Sequence, residues 1–150
     1  MQINEITPAQ APMDLLLEAD PSEQKVKGYL ENCTCLAARI EGVVVGVCLL
    51  KPIGDDAYEL MNISVAPSLQ QRGIGTALLK RAIASVRAMG AHTLEVGTGM
   101  FGHPLAFYQR QGFRASAIDR GFFLDNYPEP LFEDGIQHKD MLRLRLDLRS

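Results

Sequence analysis

The sequence predicts a single domain of the α/β or α+β class, built around one mixed β-sheet. Short strand-like runs with a hairpin signal occupy the first half of the chain, which favours antiparallel pairing there. A strand, a glycine loop, a long amphipathic helix and a further strand follow in the middle, which makes the sheet mixed. The 150 residues contain no repeat, low-complexity segment or long linker, so we expect residues 1–150 to form one domain with a substantial core.

The first half of the chain predicts one strand, two helical pieces and three further strands. "MQINEIT" is typical of a short strand, and "APMDLLLEADPSEQKVKGYLENC" of two helices that are separated near Asp20-Pro21. "TCLAARI" and "VVVGVCLL" flank Glu41-Gly42, a hairpin signal, and the second run is apolar throughout, as in a central strand. The alternation of the third strand, "YELMNISV", predicts a common face for Glu59, Met61, Ile63 and Val65.

The second half predicts two helices among three strands. Apolar residues at steps of three and four indicate a helix from Gly73 to Met89, and Gly90 is a natural helix end. "HTLEVGT" is strand-like, "HPLAFYQRQG" predicts a short helix opened by Pro104 and closed by Gly112, and "FRASAI" is a further strand. The final run, "MLRLRLDL", alternates between inward leucines (Leu142, Leu144, Leu146, Leu148) and outward polar residues (Arg143, Arg145, Asp147).

The composition argues against several classes of partner. The formal net charge is -3, with 47% apolar and 22% charged residues, as in ordinary globular proteins. This balance gives no electrostatic attraction to nucleic acid or to acidic membranes, so we expect neither as a partner. No apolar run approaches the roughly 20 residues that cross a bilayer, and "MQINEITPAQ" lacks the features of a secretory signal, so we expect a cytoplasmic protein.

The cysteines predict reduced thiols embedded in strands. Cys33, Cys35 and Cys48 make an odd count in a chain without an export signal. The C-x-C pair is followed by no second pair at zinc-ligand spacing, and His92 and His138 have no partner pattern that favours a metal. We therefore expect no metal site.

The loop "QQRGIG" that precedes the long helix predicts an anion site. The first amides of a helix lack intrahelical partners, glycines allow a close approach to the backbone, and Arg72 adds a positive charge. The alternative is a turn in which the glycines only provide steric room. The spacing excludes a Walker loop, and a G-x-G-x-x-G fingerprint fails at Leu78 although Glu95 stands where a ribose-binding acid is expected. A nicotinamide-dinucleotide oxidoreductase is thus a distant alternative.

Two motifs and the order of elements give the chain a family resemblance. "QQRGIG" matches Q/R-x-x-G-x-G/A, and "LAFYQRQGF" matches a segment with tyrosine before a G-F pair. With the order of strands and helices, these resemble the GNAT superfamily of acetyl-CoA-dependent N-acetyltransferases, in particular small single-domain bacterial members. The resemblance implies a mostly antiparallel sheet of about six to seven strands flanked by about four helices.

The resemblance also implies an activity and a co-substrate. An acetyl group would pass from acetyl-CoA (coenzyme A) to a primary amine of a small cationic molecule or of a peptide or protein, by direct attack in a ternary complex. A module of this fold that binds an acyl-CoA without turnover is the alternative. Backbone groups of one strand would pair with the pantetheine arm (Ile63, Ser64, Val65), and the loop would hold the pyrophosphate (Gln70, Gln71, Arg72, Gly73, Ile74, Gly75, Thr76).

The same resemblance implies two catalytic residues. Tyr108 corresponds to a tyrosine that protonates the departing thiolate, a role that suits a phenol, whose ordinary pKa is about 10; the alternative is a packed aromatic ring. Glu59, eleven residues before Gln70, corresponds to a general base, with Glu95 or ordered water as alternatives. The asparagine that many relatives carry before the short helix is missing from "GTGMFGHP"; Thr98 or His103 would replace it, or the contact is absent.

The segment from Asp119 to Asp140, here called the acidic segment, predicts a substrate-binding surface. It combines acidic and aromatic residues, and its prolines and glycines predict irregular structure. We expect it to bind a cationic amine through Asp125, Tyr127 and Glu129. The alternative is that its aromatic residues cover the sheet or form the interface of a homodimer.

Overall fold

The computed structural model describes residues 1–149, which form nine strands and five α-helices. The strands are β1 (Gln2–Ile6), β2 (Thr34–Ile40), β3 (Val43–Pro52), β4 (Ala57–Val65), β5 (Thr93–Gly99), β6 (Arg114–Asp119), β7 (Leu131–Glu133), β8 (Ile136–His138) and β9 (Met141–Asp147). The α-helices are α1 (Met13–Ala19), α2 (Glu23–Leu30), α3 (Ile74–Ala88), α4 (His103–Gln109) and α5 (Phe122–Asn126). Short 3₁₀ turns at Pro8–Gln10 and Pro67–Leu69 complete the regular structure.

Seven strands form one sheet in the order β1-β2-β3-β4-β5-β9-β6, and β7 and β8 form a separate hairpin. All neighbours in the large sheet are antiparallel except β4 and β5. The mixed, mostly antiparallel sheet predicted from the sequence is therefore confirmed. The last strand, β9, lies between β5 and β6 although it follows both in the chain.

Helices cover both faces of the sheet and create two hydrophobic cores. The stripe of α3, which includes Leu78 and Val86, packs on one face, whereas Leu16 of α1 and Val26 of α2 pack on the other. Strand β3 contributes to both cores, because its alternate side chains point to opposite faces, and four consecutive residues from Val47 to Leu50 are completely buried. The predicted central position of this strand is confirmed. The three cysteines are free and buried.

A β-bulge in β4 changes which residues share a face. Asn62 lies opposite Leu49, and Leu60 lies opposite Leu50, so Met61 is an extra residue in β4. Beyond the bulge, Ile63 and Val65 pack in the core beneath α3, whereas Met61 packs in the core beneath α1 and α2. The predicted common face of Glu59, Met61, Ile63 and Val65 is therefore wrong, since the bulge reverses the alternation in the middle of the strand.

The acidic segment has more regular structure than the sequence predicted. It contains α5 and the β7–β8 hairpin. The hairpin turn is Asp134-Gly135, whose φ angles of 53° and 77° are both positive, as a type I′ turn requires. Aspartate followed by glycine is a strong hairpin signal, and the prediction of irregular structure from the prolines and glycines of this segment is wrong here. No helix within residues 1–149 is long and apolar enough to cross a membrane.

Candidate functional site

A cleft opens where β4 and β5 separate. The two strands pair only from Ala57 to Leu60 and from Thr93 to Val96, and then they diverge. The cleft has a volume of about 1090 Å³ and passes between the two halves of the sheet. On one side it is bordered by the β4 edge, the glycine loop and α4. On the other it is bordered by the α1–α2 junction and the acidic segment.

The β4 edge leaves backbone groups available for a ligand. From Asn62 to Val65 the strand pairs with β3 on one side, and within residues 1–149 no strand pairs with its other side. Val65 is the partial exception, because its carbonyl oxygen accepts a bond of 3.1 Å from the Gln70 side chain. The Ser64 hydroxyl is buried beside this edge without a partner in the described residues. An extended ligand with amide groups fits such an edge.

The glycine loop presents free amides at the start of α3. Gly73 precedes the helix with a φ of 83°, and Gln71 has a φ of 64°, so the chain reverses sharply at two nearby positions. The first intrahelical bond runs from the Ala77 N–H to the Gly73 oxygen, so the amides of the preceding turn lack helical partners. Most of the predicted loop residues line the cleft (Gln70, Gln71, Gly73, Ile74, Gly75, Thr76), whereas Arg72 is exposed beside it.

Tyr108 lies in α4 and lines the cleft together with the glycine loop. Its ring packs edge-to-face against Phe107 at 5.2 Å and Phe113 at 5.6 Å, and 6% of the residue is exposed. Burial, with a smaller effect from Cys48, raises the pKa of the phenol above its ordinary value. The hydroxyl makes no hydrogen bond to any residue in the described part of the chain. The two interpretations of Tyr108 are therefore compatible, because its ring is packed while its protonated hydroxyl lies beside the cleft.

Glu59 takes part in an ion-pair cluster on the floor of the cleft. Its Oε2 accepts a bond of 3.0 Å from Arg143 Nη1, and Arg143 Nη2 lies 3.4 Å from Glu95 Oε1. Glu59 and Glu95 are directly opposite across β4 and β5, where two carboxylates would repel each other without the guanidinium. Burial lowers the pKa of Arg143, but the bonds from Glu59 and then Glu95 outweigh it and raise the value.

The sequence predicted that Arg143 faces solvent, and this prediction is wrong. Its side chain is only 24% exposed, because the outward face of β9 forms part of the cleft. Gly97 lies opposite Arg143 on β5, and a side chain at Gly97 would collide with the sulfur of Met141. Because Gly97 and Arg143 face each other only through the register of β5 and β9, no local pattern in the sequence marks this cluster.

A chain of hydrogen bonds connects the acidic segment to the α1–α2 junction. The hydroxyls of Tyr29 and Tyr127 donate to the two oxygens of Asp20, each at 3.0 Å. The Asn62 amide donates to the Tyr29 hydroxyl at 3.2 Å and to the Leu16 carbonyl at 2.9 Å. Burial, followed by the bond and charge of Asp20, raises the pKa of Tyr127 above its ordinary value.

Of the three predicted substrate-binding residues, one lines the cleft and two do not. Tyr127 lines the cleft, whereas Asp125 and Glu129 are exposed and lie outside its lining. The sequence predicted that the carboxylates that bind the amine belong to the acidic segment itself. In the structure, the carboxylate that accepts the hydrogen bond from Tyr127 is that of Asp20, far away in the chain. Sequence reasoning missed Asp20 because it was interpreted only as a helix boundary.

His138 and Glu133 form a second partly buried pair at the end of β5. His138 Nε2 lies 2.9 Å from Glu133 Oε1, and Glu133 Oε2 accepts a bond of 3.2 Å from the His103 amide, which starts α4. The His138 ring stacks on Phe101 with centroids 4.3 Å apart. The second ring nitrogen, Nδ1, is buried without a partner in the described residues. No motif in the sequence points to this pair.

The two positions considered for the missing asparagine both line the cleft. Thr98 is buried and pairs with Leu142 of β9, and His103 is the first residue of α4. Within residues 1–149, no three His, Cys, Asp or Glu side chains are grouped closely enough to hold a metal ion.

Comparison with known proteins gives consistent results. The model of the acetyltransferase (GNAT) family matches residues 3–113. An uncharacterized N-acetyltransferase of Bacillus subtilis (strain 168), YvbK, is 46% identical over 136 residues, which cover 90% of this chain and 88% of the relative.

Two solved structures are similar over almost their whole length. A GNAT family acetyltransferase from Elizabethkingia anophelis with acetyl-CoA bound has a TM-score of 0.92 and 38% identity, and the match covers 97% of each chain. An IAA acetyltransferase from Bacillus cereus ATCC 14579 has a TM-score of 0.93 and 39% identity, covering 97% of this chain and 98% of the other.

Proposed function

The chain belongs to the acetyltransferase (GNAT) family, and we propose that it transfers an acetyl group from acetyl-CoA to the primary amine of a small cationic molecule or a peptide, with both substrates bound together. One observation carries the proposal. A free strand edge, the open amides of a helix start and a buried tyrosine border the same cleft. The bound acetyl-CoA in a structure 38% identical to this chain supports the choice of co-substrate.

Acetyl-CoA fits the residues on the β4 side of the cleft. The backbone of Ile63, Ser64 and Val65 would pair with the amides of the pantetheine arm, and the buried, unpartnered Ser64 hydroxyl supports a polar ligand beside this edge. The amides from Gln71 to Thr76 would hold the pyrophosphate, since the helix dipole and the free N–H groups favour an anion there. Arg72, exposed at the mouth, would add a charge-assisted bond.

Tyr108 would act as the general acid. When bound, acetyl-CoA supplies a thioester whose carbonyl carbon is attacked by the amine, so that a C–N bond forms as the C–S bond breaks. The phenol of Tyr108 is protonated at neutral pH, since even the ordinary pKa of a tyrosine is about 10 and burial raises it, so a proton is present to pass to the departing sulfur. The phenol has no protein partner in residues 1–149 that competes for the proton.

Glu59 remains the predicted base, but its contacts favour a positioning role. A base must accept a proton from the amine, and one Glu59 oxygen already accepts from Arg143. The same guanidinium also binds Glu95, and protonation of Glu59 would weaken its charge-assisted bond to Arg143, which opposes a role as the base. We propose that Glu59 and Arg143 hold the floor of the cleft in place where β4 and β5 diverge.

The far side of the cleft suits an amine with an aromatic or aliphatic body. Phe101, Phe123 and Tyr127 provide apolar surface, and the carboxylate of Asp20, which accepts a bond from Tyr127, adds a negative charge. We propose that Asp20 and Tyr127 take the role predicted for the acidic segment, whereas Asp125 and Glu129 would act only at the outer surface. Residues 1–150 would act as one domain, since β9 completes the same sheet beyond the matched family segment. Homodimer formation stays a prediction.

Two measurements test the proposed function. Calorimetry should give a Kd for acetyl-CoA and no binding of NADH, and a thiol-release assay over an amine library should identify at least one accepted amine. Binding without release for every amine would instead support an acyl-CoA-binding module. Absence of acetyl-CoA binding would contradict the proposal itself.

A further inference from the structure

We propose that His138, oriented by Glu133, accepts the proton that the substrate amine must lose. The inference rests on the proposed acetyl transfer to an amine, and it assigns a catalytic role to a pair that the sequence did not reveal. An alkyl amine is mostly protonated at neutral pH, so it cannot attack a carbonyl carbon until a base removes a proton.

The geometry selects which nitrogen is the base. Glu133 has no proton to give when ionised, so Nε2 of His138 must donate in their bond of 2.9 Å. A neutral imidazole with its proton on Nε2 carries its lone pair on Nδ1. The carboxylate also stabilises the imidazolium that forms when Nδ1 takes a proton, as carboxylates do in catalytic triads. Glu133 is itself fixed by the His103 amide, so the ring has a single preferred orientation.

The unpartnered Nδ1 of His138 indicates that its hydrogen-bond donor comes from a ligand and not from the described residues of the protein. A buried acceptor without a donor is destabilising, and such an atom in a native structure calls for a functional explanation. Nδ1 lies against Gly99 at the end of β5, where a side chain would overlap the ring. Gly99 and His138 both line the cleft, so a small displacement of the ring when the amine binds would let its ammonium group, or a water attached to it, donate to Nδ1.

The residues around the His138 ring favour His138 over Glu59 as the proton acceptor. His138 packs against Phe101 and Phe123, and Glu133 is the titratable group that contacts it. By contrast, the predicted base Glu59 is already engaged by Arg143. Of the two candidates, only His138 combines an available lone pair with a partner that stabilises its protonated form.

The proton balance is complete without any further reactant. The ammonium gives one proton to Nδ1, which later passes it to solvent. The neutral nitrogen attacks, and the sulfur takes the Tyr108 proton as the C–S bond breaks. The product amide loses its extra proton, which restores the Tyr108 phenol through solvent. The net result is one amide, one thiol and one proton released.

The first test compares pH profiles of wild type, His138→Asn and a matched control. At about pH 7, His138→Asn should lower kcat by about 10²-fold, and the deficit should shrink as the pH rises toward the pKa of the amine, since the solvent then supplies the neutral form. Glu133→Gln should show a smaller deficit with the same trend. The control is His92→Asn, which removes a second histidine–carboxylate pair, with Asp56, outside the cleft lining. It should leave the profile unchanged.

The outcomes separate the inference from the proposed function. A wild type that acetylates no amine would overturn the proposed function. An active wild type with no His138→Asn deficit, or with a deficit that is equal at every pH, would overturn the role of His138 alone.

The second test does not depend on activity. Nitrogen-15 NMR of labelled imidazoles should show neutral His138 with its proton on Nε2, and Glu133→Gln should shift that tautomer toward Nδ1. The signal is assigned by its loss in His138→Asn, or by difference from His92 and His103 if that variant does not fold. A wild-type ring protonated on Nδ1 would overturn the inference, because Nδ1 would then have no lone pair to offer.

Discussion

The two sides of the cleft are built in different ways. The side proposed for acetyl-CoA uses backbone groups from a continuous stretch, with the β4 edge and the glycine loop adjacent in the chain. The side proposed for the amine uses side chains that meet across the chain, as Asp20 and Tyr127, or Glu59 and Arg143, do. A site of the first kind leaves a sequence motif, because φ angles and helix starts depend on neighbouring residues. A site of the second kind leaves almost none.

The largest expected effect tests the acetyl-CoA side of the cleft, which is formed by residues close together in the chain. Tyr108→Phe should lower kcat by about 10²-fold with little change in acetyl-CoA affinity, since only the proton donor is lost while the ring still packs. Steady-state kinetics and calorimetry would measure both. Phe113→Leu is the packing control, and it should cost stability more than turnover. An unchanged kcat in Tyr108→Phe would show that the hydroxyl takes no part in the reaction.

The next effect tests whether the glycine loop acts through its backbone. Gly73→Ala places a side chain where φ is 83°, so the loop should shift and acetyl-CoA affinity should fall by about tenfold. Gly90→Ala is a matched control, because Gly90 has a φ of 87° at the other end of the same helix. Both variants should lose about 1 kcal/mol of unfolding free energy, but only the first should change the Kd. Equal affinities in the two variants would contradict the anion site.

A smaller effect tests the amine side of the cleft, which is formed by side chains that are far apart in the chain. Tyr127→Phe removes the bond to Asp20 and should raise the KM for the amine several-fold, leaving the Kd for acetyl-CoA unchanged. Tyr58→Phe, which loses a contact with the Met89 sulfur away from the cleft lining, serves as the control. A change in acetyl-CoA affinity with no change in amine KM would reverse the assignment of the two sides.

The smallest effect concerns the ion-pair cluster. Glu59→Gln keeps the shape but removes one of the two charges on Arg143, and it should cost about 1 kcal/mol of unfolding free energy, because the pair is partly exposed to solvent. Its kcat should fall only a few-fold if Glu59 is a positioning residue. A loss of about 10²-fold that is recovered at high pH would instead make Glu59 the base.

Much of the fold could be predicted because hydrophobic periodicity is local. The break between α1 and α2, the central position of β3 and the bounds of α3 all follow from the identities of neighbouring residues. The bulge at Met61 could not be predicted, since it depends on how β4 meets β3 and leaves no mark in the alternation.

The candidate site shows the same limit. Tyr108 and the glycine loop were found from motifs, but the burial of Arg143 depends on Gly97 of the neighbouring strand. The role of His138 depends on Glu133 across a two-residue turn that was mistaken for irregular structure. In both cases the polar side chain has an ordinary sequence context, and only the three-dimensional contact distinguishes it.

The position of β9 between β5 and β6 affects the order in which the protein can be assembled during synthesis. Residues 57–109 hold the whole acetyl-CoA side, and they leave the ribosome before β9 exists. Until β9 arrives, β6 has no neighbour among the described strands, and Glu59 and Glu95 face each other without Arg143. We therefore expect nascent chains that stop before residue 141 to lack protection of β6 amides in pulsed hydrogen exchange, and early protection of β6 would contradict this order.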